Sequence, residues 1–125
     1  MNRRKIIIDT DPGVDDSFAI LCALADPNLE VLAIHTVAGN VPCSTTTRNA
    51  LGLVKFAHAE VSVHAGSEGP LVVPAVFATA VHGISGLGSF EFTDEELAPL
   101  NAQNALESMV HILKNADEKI TIVAL

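Results

Sequence analysis

Ile6-Ile7-Ile8, followed by Asp9-Thr10-Asp11-Pro12-Gly13-Val14-Asp15-Asp16, is the stretch on which the reading of the fold depends. The β-branched run reads as a buried strand that ends at Asp9. Beyond the turn, Phe18, Leu21, Cys22 and Ala25 fall at the one-face spacing of an amphipathic helix. The acidic turn therefore sits at a strand's carboxyl end and opens a helix. Open α/β sheets bind ligands at that edge, where the helix also offers unpaired backbone N–H groups. Pro12 sets φ and Gly13 admits positive φ, so the chain can double back and bring Asp11 toward Asp16.

Carboxylates held about 4 Å apart repel by roughly 1 to 4 kcal/mol per pair, depending on the local dielectric. Asp15 or Asp16 could cap the helix while the others stay in water, as acidic residues often do at a helix N-terminus. Asp9 and Asp11, added at the end of an apolar strand, favour a cation site instead. Carboxylate oxygen is a hard ligand, so calcium or magnesium is preferred to zinc.

Outward from the turn, the chain alternates. Val31-Leu32-Ala33-Ile34 with Thr36-Val37 reads as a second strand, and residues 45–60 as a helix with Ala50, Leu53, Val54 and Ala57 on its apolar face. Val61-Ser62-Val63 reads as a third strand. Residues 66–99 are broken by glycine and proline, with a helical turn or two at 76–81, and read as a long functional loop. Residues 104–117 restore a helix, with Leu106, Met109, Val110 and Leu113 along one face, and 119–125 read as a fourth strand. The expectation is one α/β domain over 1–125: an open, mostly parallel, Rossmann-like sheet with helices on both faces.

The chain has 125 residues, an apolar fraction of 49% and a net charge of −8. That allows a real core and argues against a general nucleic-acid binder, since no basic stripe is present to neutralise phosphates. Asp94-Glu95-Glu96 reads as a solvated acidic cluster. Cys22 and Cys43 form no disulfide framework and read as reduced thiols. No signal-peptide core precedes the aspartates and no apolar run spans a bilayer, so the expected location is cytoplasmic, without a membrane partner. His35, His58, His64 and His111 show no ligand spacing and are assigned no chemistry.

The turn Asp9-Thr10-Asp11-Pro12-Gly13-Val14-Asp15-Asp16 resembles the amino-terminal signature of the inosine–uridine-preferring nucleoside hydrolases. Thr36-Val37-Ala38-Gly39-Asn40, Ala65-Gly66 with Pro70-Leu71, and Val81-His82-Gly83 before Gly86-Leu87-Gly88 follow in that family's order. The resemblance spans the whole chain but only the family's amino-terminal part, so the domain reads as truncated after the fourth strand. It implies calcium-dependent hydrolysis of the N-glycosidic bond of ribonucleosides, by attack of an activated water through an oxocarbenium-like transition state. It implies that Asp11 is both a metal ligand and the general base, Asp16 a metal carboxylate, and Asp15 and Asn40 ribose contacts. It further implies that His82 contacts the nucleobase and that Leu125 binds the metal through its backbone carbonyl. Asp9 is read as orienting the turn from behind the metal. Ser85 departs from the family, many of whose members carry an acidic residue there, so base recognition is left open.

Two alternatives stand beside this reading. The chain could be an inactive half-site that binds a cation weakly or needs a partner surface; whether it forms homo-oligomers is open. Asp9-Thr10-Asp11 after an apolar strand also resembles the nucleophile turn of haloacid dehalogenase-type phosphatases, although Gly13 stands where that family usually has threonine or valine.

Overall fold

The structure, a computed structural model, describes residues 2–125. Its strands are β1 (Arg4–Thr10), β2 (Leu29–Thr36), β3 (Ser62–Ala65) and β4 (Thr121–Ala124). They form one parallel sheet of order β3-β2-β1-β4. The helices are α1 (Val14–Ala25), α2 (Cys43–Phe56), the short α3 (Thr79–His82) and α4 (Ala105–Lys114), with a 3₁₀ turn at Asp94–Glu96.

Strand alternation sorts the side chains onto two faces. Ile6, Ile8, Ile34 and Val63 pack with Ile20 of α1 and with Ala50, Leu53 and Val54 of α2 to form the core. Each fully buried aliphatic side chain there contributes about 1.5 to 3 kcal/mol. On the other face, His35 Nε2 lies 2.9 Å from Ser108 Oγ of α4, and His64 Nδ1 lies 2.7 Å from the carbonyl of Gln103 just before that helix. Both faces therefore carry helix, as the sequence reading expects.

Chain order and strand order together position the site. The chain moves outward from β1 through β2 to β3, then returns to place β4 on the far side of β1. The direction of progression reverses between β1 and β4. In open α/β sheets a crevice forms at that switch, outside the carboxyl ends of the strands. Asp9 and Thr10 end β1 there, and Asp11 follows.

The helix faces differ from the sequence expectation. Phe18 of α1 is 69% exposed and Cys22 and Ala25 are exposed, whereas Asp16, Ser17 and Ile20 are buried. The rotation has a polar cause. Asp16 accepts a hydrogen bond from the Thr10 hydroxyl at 3.2 Å, and Ser17 Oγ donates to the Gly13 carbonyl at 2.6 Å, which turns the acidic side of the first turn inward. In α4 the expected face is likewise largely outside: Leu106 is 74% exposed, with Val110 and Leu113 also exposed, while Ala105 and Ser108 are buried. Small side chains let that helix lie close to the sheet.

The later part of the loop after β3 is tied down. Phe92 is buried in the core cluster, and a Cβ on Gly52 of α2 would collide with its ring. The acidic cluster is exposed but anchored: Arg48 pairs with Asp94 at 2.6 Å, and Glu96 closes a capping box with Thr93.

Candidate metal and substrate site

Asp11 is held from β2's end. Its Oδ2 accepts the Asn40 backbone N–H at 2.7 Å, and its carbonyl accepts the Asn40 side-chain amide at 2.9 Å. The close approach depends on Gly39, because a Cβ there would collide with the Asp11 carboxylate. Asp16, on the first turn of α1, lies near enough to Asp11 for each carboxyl to feel the other's charge. Burial first, and then the Asp11 charge, push the Asp16 carboxyl above its ordinary range, while the Thr10 hydroxyl pulls the other way. Asp15 is exposed on the same turn, and its charge adds to the effect.

Gly13 does not take the positive φ expected from the sequence; its φ is −103°. It serves by its lack of a side chain, since a Cβ would come within 2.5 Å of His82 Nδ1 and 2.8 Å of Asn40 Nδ2. The long loop thus folds back onto the turn. His82 Nδ1 accepts the Val14 N–H at 3.3 Å, so in the neutral ring the proton lies on Nε2. Ser85 is half-buried, and its hydroxyl donates to the Phe90 carbonyl at 2.7 Å within the loop.

Asp9 belongs to the α4 side of the sheet. It lines a cavity of about 460 Å³ on the α4 side, with His35, Ser67, Asn104 and Met109. Burial, followed by the Asp11 charge, raises its carboxyl above the ordinary range. Leu125 donates its N–H to the Asp9 carbonyl at 2.9 Å, which seats it beside the end of β1.

Asn49 and Thr10 hold the site together although the sequence reading did not single them out. Asn49 Nδ2 donates to the Pro12 carbonyl at 3.1 Å and to the Ser85 carbonyl at 2.8 Å, clamping turn and loop to α2. Its signal was available: Asn49 lies four residues before Leu53, on the buried side of the helix. Thr10, fully buried, follows the strand alternation of Ile6 and Ile8.

Among the described residues, no three Asp, Glu, His or Cys side chains converge into a ready-made metal cluster. Asp11 and Asp16 nevertheless suit a hard divalent ion, being two neighbouring carboxyls with, among the described residues, no cationic side chain hydrogen-bonded or salt-bridged to either. They could supply up to about four of the six to eight oxygens that calcium takes.

The model for the inosine–uridine-preferring nucleoside hydrolase family matches residues 6–125. A non-specific ribonucleoside hydrolase of Klebsiella pneumoniae (strain 342) is 46% identical over 123 residues, which are 98% of this chain and 40% of that protein. Its counterpart in Salmonella agona (strain SL483) is also 46% identical, over 96% of this chain and 39% of that protein. Among solved structures, a plant nucleoside hydrolase superposes with a TM-score of 0.86 at 38% identity, over 98% of this chain and 39% of its own. A purine-preferring ribonucleoside hydrolase from Gardnerella vaginalis gives 0.86 at 27%, over 97% and 40%. The chain thus spans about two fifths of the length of these relatives. With the acidic turn, the switch point and the anchoring Asn40 in place, the chain belongs to the inosine–uridine-preferring nucleoside hydrolase family.

Proposed function

We propose that this chain carries the amino-terminal share of a calcium-dependent site that hydrolyses the N-glycosidic bond of purine and pyrimidine ribonucleosides, giving ribose and free base. The observation that carries the reading is the meeting of Asp11 and Asp16 at the carboxyl end of β1, where burial and mutual charge leave a pair that a cation would relieve. Family membership supports ribonucleoside as the substrate class, against the phosphatase alternative.

On this reading Asp11 is the general base. Asn40 pins Oδ2, leaving Oδ1 to take a proton from the attacking water. A bound calcium ion would offset the repulsion between Asp11 and Asp16 and acidify that water. Asp15, exposed on the first turn of α1, holds ribose hydroxyls, and Asn40 Oδ1 supplements it. His82 offers its Nε2–H to the departing base. Charge around the sugar stabilises the cationic transition state, and fixed hydroxyls hold the reactive geometry. Leu125 would add its backbone carbonyl to the ion. Magnesium is the second choice of ion. The proposed setting is cytoplasmic with reduced cysteines; among the described residues, no helix is long and apolar enough to cross a membrane.

One observation favours a second reading. With only two carboxyls meeting, the chain by itself is a half-site whose remaining oxygens come from elsewhere. Calorimetry with calcium, followed by an assay of base release from inosine and uridine, separates the two. Tight binding with turnover supports a self-sufficient site, and weak binding without turnover supports the half-site. Loss of calcium binding in both Asp11→Asn and Asp16→Asn is expected on either; unchanged binding in these variants refutes the metal assignment.

A further inference from the structure

A row of polar side chains crosses the sheet directly behind the turn. Asp9, His35 and His64 are register partners on β1, β2 and β3, so all three leave the same face, toward α4. His64 is fully partnered. Its Nδ1 meets the Gln103 carbonyl at 2.7 Å and so carries the proton, and its Nε2 takes the Ser62 hydroxyl at 2.9 Å. His35 is 1% exposed and packs edge-on against His64, with centroids 5.4 Å apart. Its Nε2 lies 2.9 Å from Ser108 Oγ, and its Nδ1 is buried without a hydrogen-bond partner. The ring borders the cavity that Asp9 also lines.

We propose that His35 is a positioning residue for Asp9: the Ser108 hydroxyl donates to Nε2, the ring proton is thereby placed on Nδ1, and Nδ1–H is presented to the Asp9 carboxylate across the strand boundary. A buried donor left without an acceptor is costly, and the neighbouring strand carries a carboxylate at the same register, on the same face and in the same cavity. The order hydroxyl, imidazole, carboxylate is that of a hydrolytic triad. Ser108, however, is 2% exposed within α4 and reaches no substrate, so the row acts on the turn. Its effect is to keep Asp9 on the α4 side and leave Asp11 and Asp16 to the ion. This consequence rests on the calcium reading above.

Ring ¹⁵N NMR of the chain tests the tether without any activity. His35 is expected in the Nδ1–H tautomer, with that nitrogen's resonance displaced in Asp9→Ala and the tautomer moving toward Nε2–H in Ser108→Ala, while His64 stays unchanged. An Nε2–H tautomer in the unaltered chain, or a His35 ring indifferent to Asp9→Ala, overturns the proposal. Calcium titration tests the consequence: His35→Phe is expected to weaken binding by roughly 10- to 100-fold, and His35→Asn, whose amide can still donate, to recover most of it. Equal affinities in all three forms refute the positioning role. If the unaltered chain binds no calcium, the metal reading fails while the ring spectra still decide the tether.

Discussion

One residue without side-chain chemistry of its own shows how tightly the turn is built. Gly39 leaves room for the Asp11 carboxylate, so Gly39→Ala is expected to displace that group and weaken calcium binding at least tenfold, with the far-ultraviolet circular dichroism unchanged. Calorimetry of the variant checks it. His35 makes a second prediction at this scale. Burial, with the neighbouring His64, lowers its pKa from the ordinary 6.5 to about 4. The unfolded chain therefore binds a proton that the folded chain refuses between those values, so the contribution of His35 to stability rises with pH across that window, while the raised carboxyls of Asp9 and Asp16 contribute in the opposite sense. In urea unfolding the unaltered chain should gain on the order of 3 kcal/mol over His35→Phe from pH 4 to 6.5. A difference of opposite sign between the two chains would place the charged ring inside the fold. In sequence, His35 carries no ligand spacing, and only its cross-strand neighbours give it meaning.

At the scale of elements, the helices were legible and their orientation was not. Residues 104–117 announce a helix through Leu106, Met109, Val110 and Leu113, yet the structure seats α4 on Ala105 and Ser108. Hydrophobic spacing counts apolar residues; it does not register a serine that a buried histidine requires. Leu106→Gln is therefore expected to alter the stability of this chain by no more than about 0.5 kcal/mol. Asn104→Ala is expected to cost about 1 kcal/mol, since the Asn104 side chain accepts from Glu107 N at 2.9 Å and Glu107 closes the capping box. Urea midpoints of the two variants test this order, and a larger loss for Leu106→Gln would reverse the assignment of the face. The same reasoning applies to α1, where Asp16 and Ser17 set the rotation and leave Phe18 outside.

For the whole molecule, a net charge of −8 and an acidic turn at the switch point mean that folding gathers like charges. Sodium chloride should raise the Tm gradually by screening. Calcium should stabilise the fold at far lower ionic strength, by about 2.7 kcal/mol at 100 times its Kd, and Asp16→Asn should retain the sodium effect while losing the calcium effect. Equal responses to both salts at matched ionic strength would reduce the turn to a diffuse acidic surface. By itself the amino-acid sequence determined the alternation of strands and helices, the place of the acidic turn after β1 and the family, because periodicity and local turn chemistry are written in neighbouring residues. Only the tertiary structure decided which helix faces are buried, that Asn49 and Thr10 hold the turn, and that Asp9 lies in the row with His35. Those pairings join residues distant in the chain, and their free energy exists only once the sheet has set its register.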